Sequence, residues 1–211
     1  MYDLPYYKEQ DPEEIIRFMK EHPFIIISGS DAAHKPVAAQ VPVFIDEKDG
    51  KYFLTGHIMR NTDHHKAFEQ NSNVLALFTG PHTYVSATWY TQPGGSTWNY
   101  MSVYAYGTIR FGDTDELRHI LQRLSLHYEN NNTESSTVFN NLPAEYTEKM
   151  MKAIVPFEIE VTGLQHVFKL SQNRDEESYD NIILELKKQG GDAEVISGIM
   201  EKRKKKVFPG N

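Results

Sequence analysis

The sequence predicts an α+β fold, a small antiparallel barrel with peripheral helices and a C-terminal helical segment. Two observations carry this. Short runs rich in aromatic and β-branched residues recur through the first half, mostly joined by short turns, which suits antiparallel strands better than a parallel α/β sheet. The last third then changes to helical spacing, with Tyr179, Ile182, Ile183 and Leu186 on one face.

Taken in order, Asp11-Pro12-Glu13-Glu14 starts a helix: Asp11 caps it, Pro12 suits its first position, and Ile15, Phe18 and Met19 form an inward stripe that ends at His22-Pro23. Phe24 to Ser28 is an apolar strand. Val37 to Ile45 is another, with Pro42 marking an edge or bulge. Glu47-Lys48-Asp49-Gly50 closes a hairpin onto Lys51 to Thr55. A short helix from about Thr62 to Gln70 precedes a strand from Val74 to Phe78. The segment Thr83 to Gly107 holds both Trp residues, Trp89 and Trp98, and five Tyr. Its two arms read as strands, and Gln92-Pro93-Gly94-Gly95-Ser96 reads as the flexible tip of a long hairpin.

Thr108 to Phe111 continues the last strand. Asp113-Thr114-Asp115-Glu116 caps a helix carrying Leu117, Ile120, Leu121 and Leu124. Glu129 to Asn141 is polar and reads as an exposed loop. A helix over Tyr146 to Ile154 leads to a strand over Phe157 to Leu170, with Gly163 as a bulge. Helix resumes from Glu176 to Lys188, and Gly190-Gly191 breaks it. A final helix from Asp192 turns Val195, Ile196, Ile199 and Met200 inward. Residues 1–211 are expected to form one domain, with 175–211 as its helical extension.

The net charge of −7 argues against a general nucleic-acid binder. The absence of Cys excludes disulfides, thiolate metal sites and Cys nucleophiles. No signal peptide or membrane-spanning run is read, so a cytoplasmic protein is expected. Nine His raise the question of a metal. His57, His64 and His65 are the nearest grouping, but adjacent His on a helix point apart, and no metal site is expected. There is no Gly-x-Gly-x-x-Gly, Walker-type loop or nucleophile elbow. The basic run Lys202-Arg203-Lys204-Lys205-Lys206 suits a helix end, with contact to nucleic acid or an acidic partner as the alternative.

Three polar clusters could hold an anion and a flat ring. Thr55-Gly56-His57-Ile58-Met59-Arg60-Asn61, running on to Lys66, lies where a strand leads into a helix. Gly56 allows close backbone approach, helix-start N–H groups favour an anion, and Arg60 and Lys66 offer counter-charges. A solvated helix start is the competing account. Thr97-Trp98-Asn99-Tyr100 leaves the aromatic tip, and Asn99 can both donate to and accept from the lactam edge of a flavin or pteridine; a turn-satisfying Asn explains it too. Lys169-Leu170-Ser171-Gln172-Asn173-Arg174 gathers two cations at a strand end. It could meet phosphate or a ring carbonyl, or be an ordinary connection.

These residues resemble the PaiB-like family, the FMN-binding negative transcriptional regulators, related to the pyridoxamine-phosphate-oxidase-like flavoproteins. The resemblance runs over nearly the whole chain. It is carried by Met1-Tyr2, Pro5-Tyr6-Tyr7, Leu54-Thr55-Gly56-His57, Gly80-Pro81-His82-Thr83-Tyr84-Val85-Ser86, Trp89-Tyr90, Thr97-Trp98-Asn99-Tyr100 and Lys169 to Arg174. It implies an antiparallel split β-barrel and a homodimer binding FMN at the subunit interface. Thr55, Gly56, His57, Arg60, Asn61 and Lys66 would take the phosphate. Trp98 and Asn99 would lie near the ring. Lys169, Gln172, Asn173 and Arg174 would reach the same flavin. The chain departs from the family pattern at Thr62-Asp63-His64-His65, Ala39-Gln40-Val41-Pro42 and Val103-Tyr104. The resemblance implies a flavin-binding regulator, with DNA as a further partner. A flavin-dependent oxidoreductase and a barrel that has lost its flavin are the alternatives. No catalytic residue is assigned.

Overall fold

The structure is a computed structural model, and it describes residues 1–210. The fold is α+β, with the antiparallel sheet of a split β-barrel. Seven strands lie in the order β2-β1-β5-β6-β7-β4-β3: β1 Phe24–Ser30, β2 Pro36–Pro42, β3 Phe44–Lys48, β4 Lys51–Met59, β5 Asn73–Val85, β6 Thr97–Phe111 and β7 Ile154–Lys169. The α-helices are α1 Pro12–Glu21, α2 Asp63–Gln70, α3 Thr114–Tyr128, α4 Ala144–Ala153, α5 Glu176–Lys187 and α6 Gly191–Val207. The predicted caps form: Asp11 accepts from the Glu13 N–H, and Asp113 with Glu116 makes a full capping box. Among the described residues no helix is long and apolar enough to cross a membrane.

Contacts group the chain into two compact units. The barrel unit comprises Pro23–Phe78 and Tyr104–Leu164. The terminal unit comprises Met1–His22, Thr79–Val103 and the chain from Gln165 onward.

In the barrel unit, β1 pairs with β2 from Phe24↔Pro42 to Ser30↔Pro36, and β4 pairs with β3 and β7. Alternate residues face the core, Val37, Ala39 and Val41 on β2 and Leu54, Gly56 and Ile58 on β4, as the two-residue strand period requires. The expected single strand from Val37 to Ile45 is two strands. Pro42 has no N–H to continue a ladder, and the Val43 N–H turns to the Pro23 carbonyl at 2.9 Å, with the Val43 side chain buried. The chain thus passes directly from one edge strand to the other. This unit's sheet curls enough that the Pro42 carbonyl lies against Gly56 of β4.

Gly56 is a packing position. It pairs across the ladder with Phe157, and a Cβ there would stand 2.8 Å from the Phe157 ring and 2.9 Å from the Pro42 oxygen. Gly56→Ala is therefore expected to destabilise by about 1–3 kcal/mol through overpacking, read as a lower urea midpoint at unchanged m-value.

The polar stretch 129–141 is less open than its composition predicts. Asn141 Nδ2 donates to the Thr133 and Ser135 carbonyls at 2.7 and 2.8 Å, and the Phe139 N–H donates to Ser125 Oγ at 2.9 Å. With its backbone satisfied in this way, the loop buries Val138 and Phe139. Phe139 joins Leu117, Leu121, Met151 and Ile154 in one apolar cluster, so α3 and α4 pack on each other.

The terminal unit buries Phe18 and Met19 of α1, Phe168 and Leu170, Tyr179, Ile182, Ile183 and Leu186 of α5, and Ile196 and Met200 of α6. Val195 faces outward, 52% exposed. The inward stripe of α6 is Ala193, Ile196, Ser197 and Met200, and Val195 lies on the opposite side of that helix. The first arm of the aromatic hairpin ends at Val85. Ser86 caps a single 3-10 turn, Ala87–Trp89, where strand was expected.

Candidate functional site

In the barrel unit, β4 carries Thr55, Gly56 and His57, and its exit carries Arg60 and Asn61. Thr55 Oγ1 donates to Asp46 Oδ2 at 3.4 Å, and Arg123 grips the same carboxylate with two bonds of 2.7 Å. That guanidinium holds the Asp46 carboxyl below the usual carboxylate range. Thr55 thus lines a cavity of about 360 Å³ with Asp46, Arg110, Glu158 and Arg123, whose charges are paired among themselves. His57 is different. Its Nδ1 is buried without a hydrogen-bond partner, and burial pushes its pKa down, so the ring is neutral at pH 7.

At the β4 exit Asn61 is in the left-handed region, with φ of 63°. This turn lets its N–H donate to His65 Nδ1 at 3.3 Å. Thr62 caps α2 by accepting from the His65 N–H. The His65 ring is buried edge-on against Phe111, 4.7 Å between centroids. Since Nδ1 accepts, the ring proton sits on Nε2, 3.8 Å from Glu69. Burial lowers the His65 pKa; Arg60, His64 and Lys66 lower it further, while Glu69 opposes them. Lys66 is exposed, and among the described residues neither it nor Arg60 forms an ion pair. Arg60 lines a crevice of about 450 Å³ with Thr114, Arg118, Glu148, Met151 and Lys152. Arg118 and Lys152 are cations that motif reading missed. The one local signal was their position beside Leu117 and Met151, core residues whose charged neighbours must rim the core.

The terminal unit brings together Trp98, Asn99, Lys169, Gln172, Asn173 and Arg174. The Trp98 indole is 53% exposed, with the His82 and Tyr84 rings each 6.1 Å away. Lys169 Nζ donates to the Trp98 carbonyl at 2.9 Å and to Thr97 Oγ1. Burial, then the nearby Arg174, lowers its pKa. Asn99 is fully buried: its Oδ1 accepts from the Ser171 hydroxyl at 3.0 Å, and its Nδ2 points to Met200 Sδ at 3.5 Å. Gln172 folds back onto the Leu170 N–H at 2.7 Å and the Phe168 carbonyl at 2.5 Å. Asn173 accepts from the Tyr7 hydroxyl at 3.3 Å, whose pKa burial pushes up to about 12. Arg174 lies 4.0 Å over the Tyr90 ring and donates to the Gly95 carbonyl at 3.4 Å. In this unit, then, Trp98, Asn173 and Arg174 present surface, while Lys169, Asn99 and Gln172 brace the backbone behind them.

The C-terminal basic run is largely engaged. Arg203 and Lys206 bond Glu9, and Lys204 lies 3.1 Å from Glu176 and 2.8 Å from Asp180. Among the described residues no cluster of three or more His, Asp or Glu could hold a metal ion.

In the barrel unit, a neutral imidazole with a loose Nδ1 and two unpaired cations are groups that can meet a phosphate; in the terminal unit, the exposed Trp98 indole is a face on which a flat ring can lie. The comparisons with known proteins bear on the family and the fold. Residues 1–163 match the family described as "Putative FMN-binding domain". The chain is 34% identical over 207 residues to "Protease synthase and sporulation protein PAI 2" of Bacillus subtilis, covering 98% of this chain and 99% of that one. That alignment spans Lys169 to Arg174, which lie past the family match. Among solved structures, the FAD and heme binding protein of Mycobacterium smegmatis superposes with a TM-score of 0.57 at 16% identity, over 76% of this chain and 72% of that one. The conserved hypothetical protein Rv2991 of Mycobacterium tuberculosis gives 0.56 at 12% identity, over 80% and 91%. At these identities the structures speak for fold alone. The chain belongs to the PaiB-like family of FMN-binding proteins, and its cofactor is FMN.

Proposed function

We propose that this protein binds FMN at an interface between two copies of the chain and acts as a negative transcriptional regulator. One observation carries the reading: in a chain of net charge −7, Arg60 and Lys66 are left without carboxylate partners beside the start of α2. Arg60, Asn61 and Lys66 would take the phosphate, with His57 Nδ1 as a further polar contact. Thr55 and Gly56 would hold the strand that carries them. Trp98 would lie along the ring and Arg174 near a ring carbonyl or the phosphate, with Asn173 beside them; Lys169, Asn99 and Gln172 would fix that surface. Bound FMN supplies a ring that can carry electrons, and the protein supplies position and charge.

The regulator role is supported by the likeness to the Bacillus relative, whose name ties that protein to protease synthesis and sporulation. The exposed Tyr2, Tyr6 and Trp98 suit burial by a second copy. With most of its C-terminal basic run paired, the chain offers DNA little free charge there.

Titration of purified protein with FMN, followed by flavin fluorescence and light scattering, tests the reading. Wild type is expected to quench the flavin as a dimer. Lys66→Ala and Arg174→Ala are each expected to weaken binding by about 1.5–3 kcal/mol, roughly ten- to a hundredfold, as loss of a charge-assisted contact does. Equal affinity in both variants and wild type would refute the placement. A flavin-loaded dimer that retards no promoter DNA at moderate salt would refute direct regulation.

A further inference from the structure

We propose that Arg118 and Lys152 complete the phosphate site begun by Arg60, and that their crevice makes this protein select a flavin bearing a terminal phosphate. The inference rests on the FMN reading above and adds residues from two helices that no motif of the chain assigns.

The fold itself makes the three cations converge. The β4–β7 ladder runs to Met59↔Ile154, and the Arg60 N–H then donates to the Ala153 carbonyl at 2.9 Å. This fixes Arg60 beside the last turn of α4, where Lys152 stands. Leu117 and Leu121 of α3 pack with Met151 and Ile154 in one apolar cluster. Arg118 follows Leu117 and Lys152 follows Met151, so the packing that joins these helices also sets their cations on the same rim. All three line the crevice of about 450 Å³.

The charge there is uncommitted. Arg17, Arg110, Arg123 and Arg203 all lie against carboxylates. Among the described residues Arg60, Arg118 and Lys152 form no ion pair, although Glu148 shares their crevice. Three cations against one carboxylate leave two positive charges, which matches a phosphate monoester of roughly −1.5 to −2 at pH 7. Thr114, the first residue of α3, also lines the crevice; the helix start it opens is already capped by Asp113 and Glu116, so the charge here comes from the three cations. The carbonyl end of α4 opposes an anion, and the Arg60 N–H and Lys152 offset it there. Riboflavin, the same ring without phosphate, gains nothing from this charge.

The test is a paired titration with FMN and with riboflavin, followed by flavin fluorescence at low salt, using the full chain. Arg118→Ala and Lys152→Ala are each expected to raise the FMN Kd about tenfold or more while leaving the riboflavin Kd unchanged. Glu148→Gln, which removes the one opposing charge, is expected to tighten FMN alone. Added salt should weaken FMN binding in wild type more than in the Arg118→Ala/Lys152→Ala double variant. The proposal is overturned if FMN affinity is unmoved in the Arg118, Lys152 and Glu148 variants while Lys66→Ala still weakens it. That result would leave the FMN reading standing. Wild type that binds neither flavin would sink both.

Discussion

Glu9→Ala is expected to lower the stability of the protein by about 3 kcal/mol, the scale for stranding a buried charge by removing its partner. The Glu9 side chain is fully buried, and its carboxylate receives bonds from Arg203 and Lys206 of α6 and from the Asp11 N–H. The Glu9 N–H in turn donates to His166 Nε2 at 2.8 Å. Removing the carboxylate leaves the Arg203 guanidinium, only 15% exposed, without its counter-charge. Lys206 is half exposed and water compensates it, so Arg203 accounts for most of the loss. In a chain of this length the melting temperature should fall by about 6–12 °C.

Acid should reveal the same contact. Burial works to raise the Glu9 pKa, but the bonds from Lys206, the Asp11 N–H and Arg203 outweigh it and hold the carboxyl at about 2, against 4.5 for a free Glu. A depressed carboxylate stabilises the fold fully above the unfolded value and loses that contribution as pH falls through the folded one. The gap in stability between wild type and Glu9→Ala, read by urea melts, should therefore narrow between pH 4.5 and 2. A gap that stays constant over that range would show that Glu9 is not ionised in the clamp.

Phe157→Ala is the second large effect, expected at about 3–5 kcal/mol, the range for deleting a buried aromatic ring. Phe157 is 1% exposed and lies over Gly56, its cross-strand partner. The two positions are coupled: Gly56→Ala should be less harmful in the Phe157→Ala background, because the added methyl then enters vacated space. Part of its cost should remain, since the Pro42 oxygen still stands 2.9 Å from that methyl position. A double-mutant cycle on urea midpoints measures the coupling, expected at about 0.5–3 kcal/mol in the relieving direction. Strict additivity would mean the ring is not what restricts Gly56.

The helices were largely legible in the residues. Asp11-Pro12, Thr62, Asp113 with Glu116, and Asp175 bring their own caps, and capping acts over three residues. The misreadings arose where a distant group decided. Pro42-Val43 splits a strand because Pro23 takes the Val43 N–H, and Phe139 turns inward from a polar loop because Ser125 takes its N–H and Asn141 donates to the loop carbonyls of Thr133 and Ser135. Val195 was misplaced because the side of α6 that turns inward is set by what packs on it, α5 among others, and that side carries Ala193, Ile196, Ser197 and Met200.

The candidate site divides in the same way. Its residue types and motifs stand in the sequence, as do the fold class, the family and, through it, the cofactor. Which polar side chains stay free was settled only in three dimensions. Asn99 and Lys169 read as ligand contacts, yet Ser171, Thr97 and the Trp98 carbonyl already occupy them, while Arg118 and Lys152 carry no motif and stand unpaired on one rim. Periodicity and capping depend on neighbours along the chain, so the sequence determines them. Whether a charge is already satisfied depends on groups that only folding brings within reach, so the tertiary structure decides it.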